Sequence, residues 1–183
     1  MQNQETDSYR TVKIAVGNTL FKAKGSKFIS YVFPLLNEQD VKIHIEKIKK
    51  EHHAARHICF AWKMGLSNPR YRVNDDGEPK NSAGQPIYGQ INSKGLTDVL
   101  VVVVRYFGGT KLGIGGLVAA YRTSAKMVLD KSMVVEKTID VRYMLVFEYK
   151  EMNKIMRIIK QHDVKIIENR MDLKCRYKIS IRQ

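Results

Sequence analysis

Residues 99–116 constrain the fold more than any other stretch of this chain. Val99 to Val104 is an unbroken apolar run, Arg105-Tyr106-Phe107 closes it, and Gly108-Gly109-Thr110-Lys111-Leu112-Gly113-Ile114-Gly115-Gly116 follows. Length and β-branched content predict a buried central strand from Val99 to Tyr106. Beyond the glycines, Leu117, Tyr121, Ser124, Ala125, Val128 and Leu129 recur at helical spacing as the inward stripe of a helix. Glycines gather at such a junction where left-handed dihedrals are required or another group must approach the backbone. The junction is therefore a candidate site as well as a packing point.

The rest of the chain is read around this unit. Residues 9–16 and 19–33 alternate as strands, with Gly17-Asn18 as the expected hairpin turn. Asn37-Glu38-Gln39-Asp40 opens a helix with Val41, Ile45 and Ile48 on one face. Ile58, Phe60 and Trp62 alternate with His57, Cys59 and Ala61 as a strand. Residues 64–92, with three of the four prolines, read as one long loop. From Ile139 the order is strand, helix, strand, strand. That is short of a ferredoxin-like plan by one helix and one strand. Either the chain continues past Gln183 or this sheet has three strands.

Composition limits the function classes. Thirty-two Lys and Arg against eighteen Asp and Glu give a net charge of +14, which favours phosphate-rich partners. Cys59 and Cys175 lack CxxC spacing, so a reducing, cytoplasmic setting is expected. Met1 to Asp7 is polar and acidic, unlike a signal peptide, and the Val99–Val104 run is too short to cross a bilayer.

Four sets of motifs, in order, resemble the IMPACT/YigZ family: Gly25-Ser26-Lys27-Phe28-Ile29; Ala55-Arg56-His57-Ile58-Cys59-Phe60-Ala61; Asp75-Asp76-Gly77-Glu78-Pro79 with Ala83-Gly84-Gln85-Pro86-Ile87; and Val103-Val104-Arg105-Tyr106-Phe107-Gly108-Gly109 with Lys111-Leu112-Gly113 and Gly115-Gly116-Leu117-Val118. The chain departs from the family pattern at Lys80-Asn81-Ser82, where small residues are commoner. The resemblance implies an α+β fold. Residues 1–136 would resemble domain IV of the translocating elongation factor, with a left-handed βαβ crossover shared with a ribosomal protein and the GHMP kinases. Residues 137–183 would be an incomplete ferredoxin-like domain. Eukaryotic relatives regulate translation by binding the co-activator of a nutrient-stress kinase.

The candidate residues carry competing readings. The glycine turn, with Gly113, Gly115, Gly116 and Lys111, resembles an anion cradle at a helix start, or is a tight turn for close packing. It lacks Walker spacing and the third glycine of a dinucleotide fingerprint. Asp75, Asp76 and Glu78 could hold a hard cation, cap their own turn, or pair with Arg70, Arg72 or Arg105. His53, His57 and Cys59 match no zinc spacing. Lys42, Lys47, Lys49, Lys50 and Arg56 form a solvated helical face or a dedicated RNA groove, with no aromatic residue interleaved. Arg105, Tyr106 and Lys111 with Arg70, Tyr71 and Arg72 could combine base stacking with phosphate contact. There is no GxSxG or HExxH signature.

The expectation is a non-enzymatic RNA- or ribosome-associated regulator of translation that needs no cofactor or metal. Arg105, Lys111, His57 and Arg72 would contact phosphate in a groove between the 75–86 loop and the 108–116 turn. The alternatives are a protein-binding adaptor in a stress response and a metal-assisted enzyme acting on a phosphorylated substrate.

Overall fold

The computed structural model describes residues 8–182, so the Met1–Asp7 segment, read as no signal peptide, lies outside the described residues. Contacts divide the chain into a unit of residues 9–136 and a unit built from residue 137 onward.

The first unit is organised by a five-stranded antiparallel sheet. Its strands are β2 (Val16–Ala23), β3 (Ser26–Pro34), β4 (His57–Met64), β5 (Arg70–Asn74) and β6 (Val99–Tyr106), in the order β2-β3-β6-β4-β5. The apolar run Val99–Val104 is the middle strand, with every side chain fully buried. Alternation sends Val99, Val101 and Val103 to one face and Leu100, Val102 and Val104 to the other. Helices α2 (Gly84–Ser93) and α3 (Gly113–Lys131) cover the first face through Ile87, Ile91, Tyr121 and Leu129. Helix α1 (Glu38–Glu51) covers the second through Val41 and Ile48. Asn37 starts α1 with a capping box: its side chain accepts from the Asp40 amide, and the Asp40 carboxylate accepts from the Asn37 amide.

Two crossovers interlock at β6. β3 and β4 flank it as parallel strands joined through α1, while β5 and β6 flank β4 and are joined through α2. The paths run in opposite senses along the sheet, on opposite faces, between oppositely directed strands. Only the change of face survives a rotation in the sheet plane, so the crossovers have opposite hands. One of them is left-handed, in a class of connection that is nearly always right-handed.

Several local readings are corrected. The β2–β3 hairpin turns at Lys24-Gly25, both with positive φ (44° and 78°), as a two-residue turn matched to strand twist requires. Gly17-Asn18 instead lies within β2, where the register to β3 shifts between Val16 and Thr19. The absence of a side chain at Gly17 makes room for the Tyr31 ring, since a Cβ there would lie 2.5 Å from it. Residues 64–92 are not one loop, for they contain β5 and α2. β5 is an edge strand without an alternating apolar pattern, and Pro86 sits in the first turn of α2, where its missing N–H breaks no helical bond. Short strands β1 (Ser8–Val12) and β7 (Val134–Thr138), far apart in sequence, also pair.

The second unit holds β8 (Asp140–Phe147), α4 (Met152–Gln161), β9 (Lys165–Met171) and β10 (Cys175–Arg182), in an antiparallel sheet ordered β8-β10-β9. Phe147, Cys175, Tyr177 and Ile179 form its core with Ile159 of α4. Among the described residues, no helix is long and apolar enough to cross a membrane.

Candidate functional site

The site lies where β6 ends and α3 begins. Gly108 is held against the β2–β3 turn, its amide donating to Ser26 Oγ at 3.2 Å. A Cβ on Gly108 would sit 1.9 Å from the Gly25 carbonyl carbon, so only glycine fits. Gly109 and Gly113 carry positive φ of 85° and 74° and turn the chain into α3. Leu112 occupies the N-cap of α3 and supplies no side-chain hydrogen bond, so among the described residues no side chain caps the helix's first amides. Gly113 and Ile114 of this first turn line a groove of about 420 Å³ together with Arg56, His57, Glu78, Pro79, Arg105, Phe107, Lys111, Leu112 and Leu117. Lys111 is exposed on its rim.

Behind the groove is a buried polar chain. Arg105 Nη1 donates to Glu78 Oε1 at 2.7 Å, with the two side chains only 6% and 4% exposed. Tyr121 donates its hydroxyl to the same oxygen at 2.7 Å. Cys59 Sγ lies 3.3 Å from that hydroxyl and 3.0 Å from the Asp75 carbonyl. Arg105 Nη2 reaches Ser26 Oγ at 3.4 Å, and Nε has no hydrogen-bond partner. The guanidinium lies 5.6 Å from the ring centres of both Phe28 and Phe107. Burial pushes the Cys59 thiol and the Tyr121 hydroxyl well above their ordinary pKa values. Native Cys59 should therefore resist iodoacetamide, with mass spectrometry finding the adduct only after unfolding. Labelling of the folded protein at the rate of a free thiol would contradict this.

The predicted residues separate into three groups. Lys111, Gly113 and His57 line the groove with Arg56, while Gly115 and Gly116 stand in the first turn of α3. His57 shares a hydrogen bond of 2.9 Å between Nδ1 and the Asp76 carbonyl, leaving Nε2 without a hydrogen-bond partner among the described residues. Arg105 belongs to the groove but is engaged by Glu78, so it acts as a buried support rather than a mobile phosphate ligand. Arg72 is elsewhere: it lies opposite Trp62, which lies opposite Leu100, while Arg105 faces His57 at the other end of the sheet. Five residues of strand put these ends about 16 Å apart. The neighbouring Arg70 pairs with Glu38 at 3.1 Å, and Tyr71 stacks on Tyr88.

The acidic trio is consumed by the fold. Asp75 accepts from the amides of Asn81, Ala83 and Gly84 at 2.8–3.0 Å, and Asp76 accepts from the Ile58 amide at 2.6 Å. Asp75 and Asp76 thus cap backbone amides and Glu78 forms an ion pair, as the capping and pairing readings of these residues expected. Among the described residues, no cluster of His, Cys, Asp and Glu is arranged to hold a metal. Residue types alone did not reveal the Tyr121–Glu78 contact, because the partners are brought together only by packing of α3 on the sheet.

Comparison with known proteins accords with this architecture. The family model of the Impact N-terminal domain matches residues 24–129. The chain is 42% identical over 130 residues to IMPACT family member YvyE of Bacillus subtilis, covering 71% of this chain and 59% of that protein. It is 36% identical over 148 residues to IMPACT family member YigZ of Escherichia coli, covering 80% of this chain and 72% of that one. The match thus spans less than two thirds of the Bacillus relative's length. A crystal structure described as that of a hypothetical protein aligns with a TM-score of 0.78 at 31% identity, over 96% of this chain and 86% of its own. With the glycine junction, the 75–86 turn and the strand that ends at Tyr106 all inside the matched stretch, the chain belongs to the IMPACT family.

Proposed function

We propose that this protein binds RNA, alone or on the ribosome, and regulates translation without catalysing a reaction. The observation that carries the proposal is the groove at the start of α3, where an uncapped helix end, Lys111 and Arg56 offer positive charge. The one carboxylate in its lining, Glu78, is neutralised by Arg105. Phe107, 43% exposed, adds an aromatic surface on which a base can stack. The net charge of +14 supports the same class of partner.

Fluorescence anisotropy with ribosomal RNA and with intact ribosomes tests the reading. If about four phosphates are contacted, affinity should fall roughly 50-fold between about 50 and 200 mM salt. Lys111→Ala should weaken binding across sequences and flatten that slope by about 1. Binding that is absent, or insensitive to salt, would overturn the proposal. The exposed Ile114 beside the groove favours one other reading, an adaptor for a protein partner. A stoichiometric protein retained after nuclease treatment would support that version instead.

A further inference from the structure

Phe107 borders two cavities. On the α3 side it lines the groove described above, and on the α1 side it lines a second cavity of about 370 Å³ with Gly25, Lys27, Ile29, His52 and Tyr106. Both open at the same end of the five-stranded sheet, on opposite faces, with Phe107 as their shared wall. His52 is part of the second cavity's fixed wall rather than a free ligand. Its ring nitrogens are already engaged by the hydroxyls of Tyr31 at 2.6 Å and Tyr106 at 2.8 Å.

On the β2–β3 side the charge beside this second cavity is positive, while on the α1 side Glu51 lies 3.7 Å from His52 and accepts from the Tyr31 hydroxyl. Lys27 lies directly opposite Lys22 in the β2–β3 ladder, and Lys24 stands in the turn between them. All three are exposed, and none has an ion-pair partner among the described residues. Like charges directly opposite on a sheet repel, and an anion between them relieves the repulsion. The packing of Gly108 on Gly25 fixes this lysine-bearing turn against the bend that carries Phe107.

Resting on the RNA reading above, we infer that the two cavities form one track for single-stranded RNA. The strand crosses the end of the sheet over Phe107, with a nucleotide on each side. Its phosphates meet Lys111 and Arg56 on one face and Lys27, Lys22 and Lys24 on the other. An extended peptide is a poorer occupant, because strand addition needs the free ladder of a sheet edge and these cavities lie at strand ends. A base needs only an aromatic face and neighbouring cations.

The test is anisotropy with an oligouridylate about eight nucleotides long, using the full chain and four variants. Lys27→Glu reverses an exposed charge at the second cavity, and Phe107→Ala removes the shared wall. Lys111→Ala reports on the first groove, and Arg72→Glu reverses a charge at the far end of the sheet. Lys27→Glu and Phe107→Ala should each weaken binding about 10-fold, with the thermal stability of Lys27→Glu no lower than the parent's because the new carboxylate faces Lys22, while Arg72→Glu stays within about 2-fold. If Lys27→Glu binds like the parent while Lys111→Ala is weakened, the track is wrong and the groove reading survives. If Lys27→Glu and Arg72→Glu weaken binding equally, a diffuse field is responsible and the track is also wrong. If the parent binds no RNA, both readings fall together.

Discussion

Gly108→Ala should lower stability by about 3 kcal/mol or more, enough to lower Tm by roughly 10 °C. The added Cβ would stand 1.9 Å from the Gly25 carbonyl carbon, 2.2 Å from its oxygen and 2.2 Å from the Ser26 nitrogen. All three are backbone atoms, so no rotamer change relieves the overlap. The β2–β3 turn would have to retreat, and the Gly108 amide would lose its bond to Ser26 Oγ. Gly109→Ala is the matched control, since a Cβ there meets nothing within 4 Å and only the φ of 85° opposes it. That change should cost about 1 kcal/mol. Thermal unfolding followed by circular dichroism measures both, and equal stability of the two variants would refute the assignment of Gly108 as a packing contact.

The second large effect is expected at the buried ion pair. Arg105→Ala leaves Glu78 as a buried carboxylate with only the Tyr121 hydroxyl, and Glu78→Ala leaves a buried guanidinium without its counter-charge. Each single change should destabilise by about 3–5 kcal/mol, because one desolvated charge then stands uncompensated. Replacing both together, Glu78→Met with Arg105→Met, should be far milder than the sum of the two single replacements by Met. Urea unfolding of the two single Met variants and the double measures the coupling. Additive losses would mean that Glu78 and Arg105 stabilise the fold through separate neighbours. Since the pair forms the back wall of the groove, weaker RNA binding by Arg105→Ala reports first on the wall, whereas exposed Lys111 reports on contact.

How much was legible depended on whether a signal was local. The central strand, the inward stripe of α3 and the start of α1 at Asn37 follow from periodicity and short-range chemistry, and the structure has them. β5 was hidden because an edge strand with Arg70, Tyr71 and Arg72 exposed shows no alternation. α2 was hidden because Gly84, Pro86 and Gly89 weaken its helical signature. Gly84 is needed there all the same, as a Cβ would meet the Asn74 amide nitrogen at 2.8 Å. The glycine junction was legible as a strand-to-helix turn, and in the fold it borders a groove. Which cations stay free was set by long-range pairing instead: Glu78 claims Arg105, and strand register carries Arg72 to the opposite end.

The interlocked crossovers have a consequence for biosynthesis. β6 lies between β3 and β4, yet it is made after both, so the five-stranded sheet cannot close until the chain has been translated through Tyr106. A nascent chain that stops earlier exposes the unpaired edges of β3 and β4, which are open to wrong partners. Closure then depends on pairings distant in sequence, which places this domain among slow folders and gives a chaperone time to engage it.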